Sequence, residues 1–386
     1  MKENIFDNSK VAFKDKSFLD LVRAYFIFKI ISLTYIVNLF KKVSKINLLS
    51  PLINFITRYT IFKQFCGGED EIKCNKTVDL LMRSNIYSIL DYSVEGLNSE
   101  NHFNKTLNQT LSLIKLNTNN NFPFIVFKPT GIGDFSIYEK ISSNICLNDN
   151  EFIRWEKIKS RFDLICKSAF NNNTSVLIDA EESWIQLAVD NIYEELIKKY
   201  NRNNTTVYNT VQAYRTDRLD YLKKLHINFK NSQFRIGIKL VRGAYMEKER
   251  KRAELLNYIS PIHPNKSDTD DFFNKSLLFM LKNTNLFSVF IGSHNEYSNN
   301  LAIEFMNNNH LNKDSVWFSQ LYGMSNHISY NLSNLGLNVA KYLPFGPTKE
   351  VIPYLLRRAD ENTSVEGQSG REISLIKKEI KRRLFS

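Results

Sequence analysis

The sequence predicts an α/β protein built on a (β/α)8 barrel and preceded by a helical N-terminal region. Eight short runs of β-branched and aromatic residues alternate with longer segments of helical period between about residues 86 and 362. Strand–helix alternation builds a parallel sheet, and eight units of this length match one barrel, with an open doubly wound sheet as the competing architecture. Every run ends in a polar or ionisable residue, and barrel enzymes gather their chemistry at the carboxyl ends of the strands.

The first 85 residues read as helical, with a break near Gly67 and Gly68. Within them LVRAYFIFKIISLTYIVNLF at 21–40 is interrupted by Arg23, Lys29 and Asn38. Its charge-free piece has about ten residues, half of the roughly 20 that a spanning helix needs, so the segment reads as a buried or interfacial helix. The strands are IYSILD to Asp91, FPFIVFK to Lys128, SVLID to Asp179, TVYNTVQ to Gln212, FRIGIK to Lys239, FSVFIGSH to His294, VWFSQ to Gln320 and NVAKY to Tyr342. Helical stripes recur between them, at Phe152, Trp155, Ile158, Phe162 and Ile165, and again at Trp184, Leu187, Ala188 and Ile192. After the barrel (86–365), residues 366–386 form a basic amphipathic helix. Its stripe of Ile373, Ile376, Ile380 and Leu384, set among Lys377, Lys378, Lys381, Arg382 and Arg383, suits either an anionic membrane or docking on the barrel wall.

Composition narrows the class. The 386 residues are 43% hydrophobic and 13% aromatic with only 13 Gly, 8 Pro and 4 Cys, which excludes collagen-like, disordered and disulfide-scaffold chains. The net charge of +12 is scattered rather than striped and goes with an abundance of Lys, Asn and Ile, so it argues weakly for nucleic acid or membrane. Cys66, Cys74, Cys146 and Cys166 form no CxxC and have no His at zinc spacing, and the N-terminus shows no presequence. A cytoplasmic protein with reduced thiols and no structural metal is the expectation.

GIGDFS at 131–136 lacks the third glycine and the distal acid of a dinucleotide fingerprint. KLVRGAY at 239–245 ends a strand with two cations, an aromatic and Gly243, where the backbone can approach a planar or phosphorylated ligand. PYLLRRADEN at 353–362 opens a helix with Pro353 in its first turn and presents Arg357 and Arg358, two planar forks suited to a carboxylate. Taken alone, KLVRGAY is equally compatible with an ordinary strand-to-helix turn, and PYLLRRADEN with a basic surface helix.

Taken together, KLVRGAY, GSHN at 292–295, QLYGM at 320–324, KYLPFGP at 341–347 and YLLRRADENTS at 354–364, with Lys128, IDAEE at 178–182 and VQAY at 211–214 upstream, resemble proline dehydrogenase over roughly residues 86–365. The resemblance implies a distorted barrel that binds FAD, L-proline as substrate and a membrane quinone as electron acceptor; peripheral membrane contact is the expectation raised by the basic C-terminal helix, and the scattered charge leaves no nucleic-acid partner expected. It places Arg357, Arg358 and Lys128 on the proline carboxylate and Tyr245, Leu321, Tyr342 and Tyr354 around the ring, with Asp179 hydrogen-bonding within the site. Glu95 resembles an acidic gate that pairs with the first arginine. Ala180, Gln212, Lys239, Arg242, Gly243, Ala244, Ser293, His294 and Glu361 fall at cofactor positions. Lys239 stands near the flavin N5 where many bacterial members have arginine, and the two side chains donate differently. The runner-up is an enzyme of the same fold acting on 4-hydroxyproline, disfavoured because Tyr342 stands where a small residue would make room for the hydroxyl. A non-catalytic basic membrane or nucleic-acid binder explains the charge but leaves the motifs unexplained.

Overall fold

The structure, a computed structural model, describes residues 4–33, 35–38, 55–92, 98–117, 122–202, 204–364 and 368–385, without the side chains of 359–369. All eight expected strands form: β1 (Ile86–Tyr92), β2 (Phe124–Phe127), β3 (Ser175–Ile178), β4 (Val207–Gln212), β5 (Ile236–Val241), β6 (Phe287–Gly292), β7 (Val316–Leu321) and β8 (Asn338–Phe345). They make one sheet in the order β1-β8-β7-β6-β5-β4-β3-β2, which is (β/α)8 topology rather than that of an open doubly wound sheet. The pairs β1–β8, β2–β3, β3–β4, β4–β5 and β5–β6 are parallel.

The chain divides into two compact units, residues 96–318 and residues 1–95 with 319–386. In the first, every residue of β2 and β4 is buried, as expected of strands covered on both faces. Phe124 is the centre of an aromatic layer, meeting Tyr208, Phe290 and Trp317 edge-to-face at centroid distances of 5.4, 5.0 and 5.0 Å. The Asp149–Asn171 helix starts with a capping box between Asn148 and Glu151 and buries Trp155, Ile158, Phe162 and Ile165, as the sequence predicts, but leaves Phe152 exposed. The Ser183–Tyr200 helix departs further. Its inward stripe is Ile185, Ala188, Val189, Ile192, Tyr193 and Leu196, while Leu187 is exposed. Both stripes have helical period, and the one that continues through Leu196 buries more apolar surface.

In the second unit β1 pairs with β8, and the helices Phe18–Ile31 and Gln368–Phe385 bury Leu21, Ala24, Ile27, Phe28 and Ile31 with Leu375 and Ile376 in one cluster, against which Ile373 and Ile380 also pack. Arg382 and Arg383 close on Glu379 at 2.7 and 2.8 Å. Of the two readings for the C-terminal helix, docking is the one taken by Ile373, Ile376 and Ile380, against the Phe18–Ile31 helix rather than the barrel wall, while Leu384 of the same stripe stays exposed. Among the described residues no helix is long and apolar enough to cross a membrane.

Candidate active site

In residues 96–318 the strand ends carry the expected polar groups. Lys128 directly follows β2 and Asp179 directly follows β3, Gln212 is the last residue of β4, and Lys239 lies within β5, two residues before its end. Lys239 is 5% exposed, and its ammonium donates to Asp179 Oδ1. Lys128 Nζ stands 3.8 Å from Asp179 Oδ2. One carboxylate therefore lies between two ammonium groups, which offsets the cost of burying that of Lys239.

Gln212 Nε2 donates to the backbone carbonyl of Glu181 at 2.7 Å. The Glu181 carboxylate in turn accepts from Thr130 N at 2.9 Å and Thr130 Oγ1 at 2.7 Å. Burial pushes its pKa up to about 7 even though both Thr130 hydrogen bonds favour the ionised form. Sequence alone points to Asp179 and Ala180 but not to Glu181 in the same IDAEE segment; an acid just past a strand looks solvated until the fold shows it buried.

Arg242 is held on three sides. Nε donates to Asp270 at 2.6 Å, Nη1 to Ser293 Oγ at 2.8 Å and Nη2 to Ser298 Oγ at 3.0 Å, and the guanidinium lies 4.4 Å from the centroid of Phe273. Gly243 has φ +127°, and a Cβ there would come within 2.5 Å of the Tyr214 ring, so only glycine fits. Gly243 and Ala244 are exposed, Ala180 and His294 are half-buried, and Tyr245 is the N-cap of the Met246–Leu255 helix with Lys248 5.2 Å from its ring centroid.

In the second unit Leu321 ends β7, Tyr342 lies within β8, and Tyr354, Arg357 and Arg358 lie on the Ile352–Ser364 helix. Tyr354 and Leu321 belong to the same apolar cluster as Phe28 and Ile376. The Arg358 guanidinium lies 5.2 Å from the centroid of Tyr354, and Tyr342, Tyr354 and Arg358 are all buried, whereas Arg357 is half-buried. The wholly buried Lys341 beside Tyr342 donates to Met324 O at 2.7 Å and Leu321 O at 3.3 Å; desolvation lowers its pKa to about 7. Glu361 lies on the same helix with its side chain outside the description, and Glu95 lies outside the described residues.

The donor set suits a flavin dinucleotide. An amide, an ammonium and a guanidinium lie at the ends of β4 and β5, with Ser293 and His294 past β6, and these are the donor types that an acceptor-rich ring and a pyrophosphate take. The exposed Gly243 and Ala244 leave backbone accessible to a bulky ligand.

A sequence profile of the family described as "Proline dehydrogenase" matches residues 74–371. The carbapenem antibiotics biosynthesis protein CarD of Pectobacterium carotovorum subsp. carotovorum is 34% identical over 83% of this chain and 84% of its own. The mitochondrial proline dehydrogenase 1 of Dictyostelium discoideum is 32% identical over 98% of this chain and 75% of its own. Proline utilization A from Bdellovibrio bacteriovorus, solved after inactivation by N-propargylglycine, superposes with a TM-score of 0.75 at 18% identity, covering 95% of this chain and 40% of that one, a likeness of fold. The chain belongs to the proline dehydrogenase family, oxidoreductases that act on a CH–NH donor in the first step of proline catabolism.

Proposed function

We propose that this chain oxidises L-proline to Δ1-pyrroline-5-carboxylate with FAD and delivers the electrons to a membrane quinone. The observation that carries the reading is the pairing of the buried Lys239 with the half-buried Asp179 at the strand ends of the larger unit. FAD, when bound, supplies the hydride acceptor. Lys239 holds a fixed positive charge where negative charge develops, and Asp179 balances that charge beforehand. Arg357, Arg358 and Lys128 bind the carboxylate, and Tyr245, Leu321, Tyr342 and Tyr354 orient the ring. The gate role that the family resemblance implies falls to Glu95, which lies outside the described residues. Gln212, Arg242, Gly243, Ala244, Ala180, Ser293, His294 and Glu361 hold the cofactor.

Contact with the quinone-bearing membrane, at the inner face of the plasma membrane, is assigned to the Phe18–Ile31 helix. Leu19, Phe26 and Ile30 are exposed on it at 79%, 55% and 47%, an unusual apolar display for a helix whose other face is buried.

The test is optical. The purified protein shows a flavin spectrum, and anaerobic L-proline bleaches it while D-proline does so poorly, because inverting the carboxylate moves the ring away from the acceptor. A colourless protein that does not take up FAD, or equal bleaching by both enantiomers, overturns the reading.

A further inference from the structure

We propose that Glu181 is a positioning residue for proline oxidation, holding in place the turn from which Lys128 projects. The inference rests on the assignment of Lys128 to the substrate carboxylate.

The turn after β2 is gripped at successive residues. Tyr138 donates its hydroxyl to Pro129 O at 2.9 Å, and Arg161 Nη1 donates to Ile132 O at 3.1 Å. Between these, Glu181 takes the backbone N–H and the hydroxyl of Thr130 on its two carboxylate oxygens. Thr130 is two residues from Lys128, so the clamp fixes the backbone that aims the lysine toward Asp179. The same residue reaches the next strand through its carbonyl, which accepts from Gln212 Nε2. Glu181 thus ties together the ends of β2, β3 and β4, each of which bears a group assigned to the site.

A purely architectural clamp could be uncharged. Glu181 is 6% exposed, and Thr130 supplies only neutral donors, so its ionised form is costly to bury. Of the nearby charges, Glu182 opposes the carboxylate and Lys128, more weakly, favours it. An acid kept there at a cost to stability, with both carboxylate oxygens spent on Thr130, fits a role in holding the turn that carries Lys128.

The experiment is a double-mutant cycle on the holoenzyme with Glu181→Gln, Lys128→Met and the pair, reading proline KM, kcat and flavin content. Thr130→Val replaces Glu181→Gln should the latter fail to fold. Lys128→Met is expected to raise KM at least tenfold. Glu181→Gln is expected to raise it about fivefold to twentyfold, with kcat within threefold and FAD retained, and the double variant to be no worse than Lys128→Met. Wild-type KM in Glu181→Gln, or effects that multiply in the double variant, overturns the positioning role while leaving Lys128 assigned. Wild-type KM in Lys128→Met overturns the assignment itself, and the inference with it.

Discussion

Lys239 on β5 reaches past β4 to the carboxylate of Asp179 at the end of β3. The contact spans two strand intervals, so it depends on the sheet and not on any local sequence. Removing the ammonium takes a preorganised charge from a buried site, an effect of about 100-fold in rate for comparable electrostatic groups. Lys239→Met is therefore expected to lower the rate of anaerobic flavin reduction by about that factor, with a smaller change in KM. Stopped-flow reduction at saturating proline checks it; an unchanged rate removes Lys239 from the reacting centre.

Arg357→Met and Arg358→Met are each expected to weaken proline binding by about 2–4 kcal/mol, the cost of deleting one charged hydrogen-bond donor from a partly desolvated pocket. Flavin content should stay normal. Arg358 is the more buried of the two and also lies over Tyr354, so its removal should lower thermal stability as well. Proline KM, read alongside the flavin spectrum, separates these effects, and a wild-type KM in either variant dismisses that arginine as a carboxylate ligand.

Tyr342→Ser opens space on β8, where the phenol is buried. Relative use of 4-hydroxyproline over proline should rise by about tenfold, a typical gain for relieving a clash of this size. The ratio of the two kcat/KM values is the measurement; no change would place the specificity filter elsewhere.

Glu379 supplies an acid-sensitive stability. Burial on its own would raise its pKa, but hydrogen bonds from Arg382, Arg383 and Ser9 outweigh that and bring it down to about 2. A carboxyl depressed on folding contributes fully above its ordinary range near 4.5 and loses the contribution as pH falls toward 2. Glu379→Gln should cost about 1–3 kcal/mol at neutral pH, from hydrogen bonds to a charged group. The difference should close between pH 4.5 and pH 2 in urea melts; a constant offset across that range refutes the linkage.

Much of the fold was legible in the chain. Runs such as FPFIVFK and TVYNTVQ, short and rich in β-branched and aromatic residues, mark the strands that form there, and the stripe of Trp155, Ile158, Phe162 and Ile165 marks the inward face of its helix. Strand ends were less sharp. Asp91, Lys239, Gln320 and Tyr342 lie inside β1, β5, β7 and β8 rather than at their tips, because a polar side chain can face the barrel interior without breaking the backbone ladder. The Ser183–Tyr200 helix shows the same limit, since two stripes of equal period compete and only packing selects one.

Sequence by itself determined the alternation of strands and helices, the family and the segments that carry the chemistry, because these depend on local periodicity and residue type. Tertiary structure decided which charges are buried and what meets them. Glu181 meets Thr130 across 51 positions, Lys239 meets Asp179 across 60, and Glu379 meets Ser9 across 370. It also turned the C-terminal helix inward, through Ile373, Ile376 and Ile380. An amphipathic stripe specifies that an apolar face must be covered, but what covers it is set by chain that folds back from hundreds of residues away.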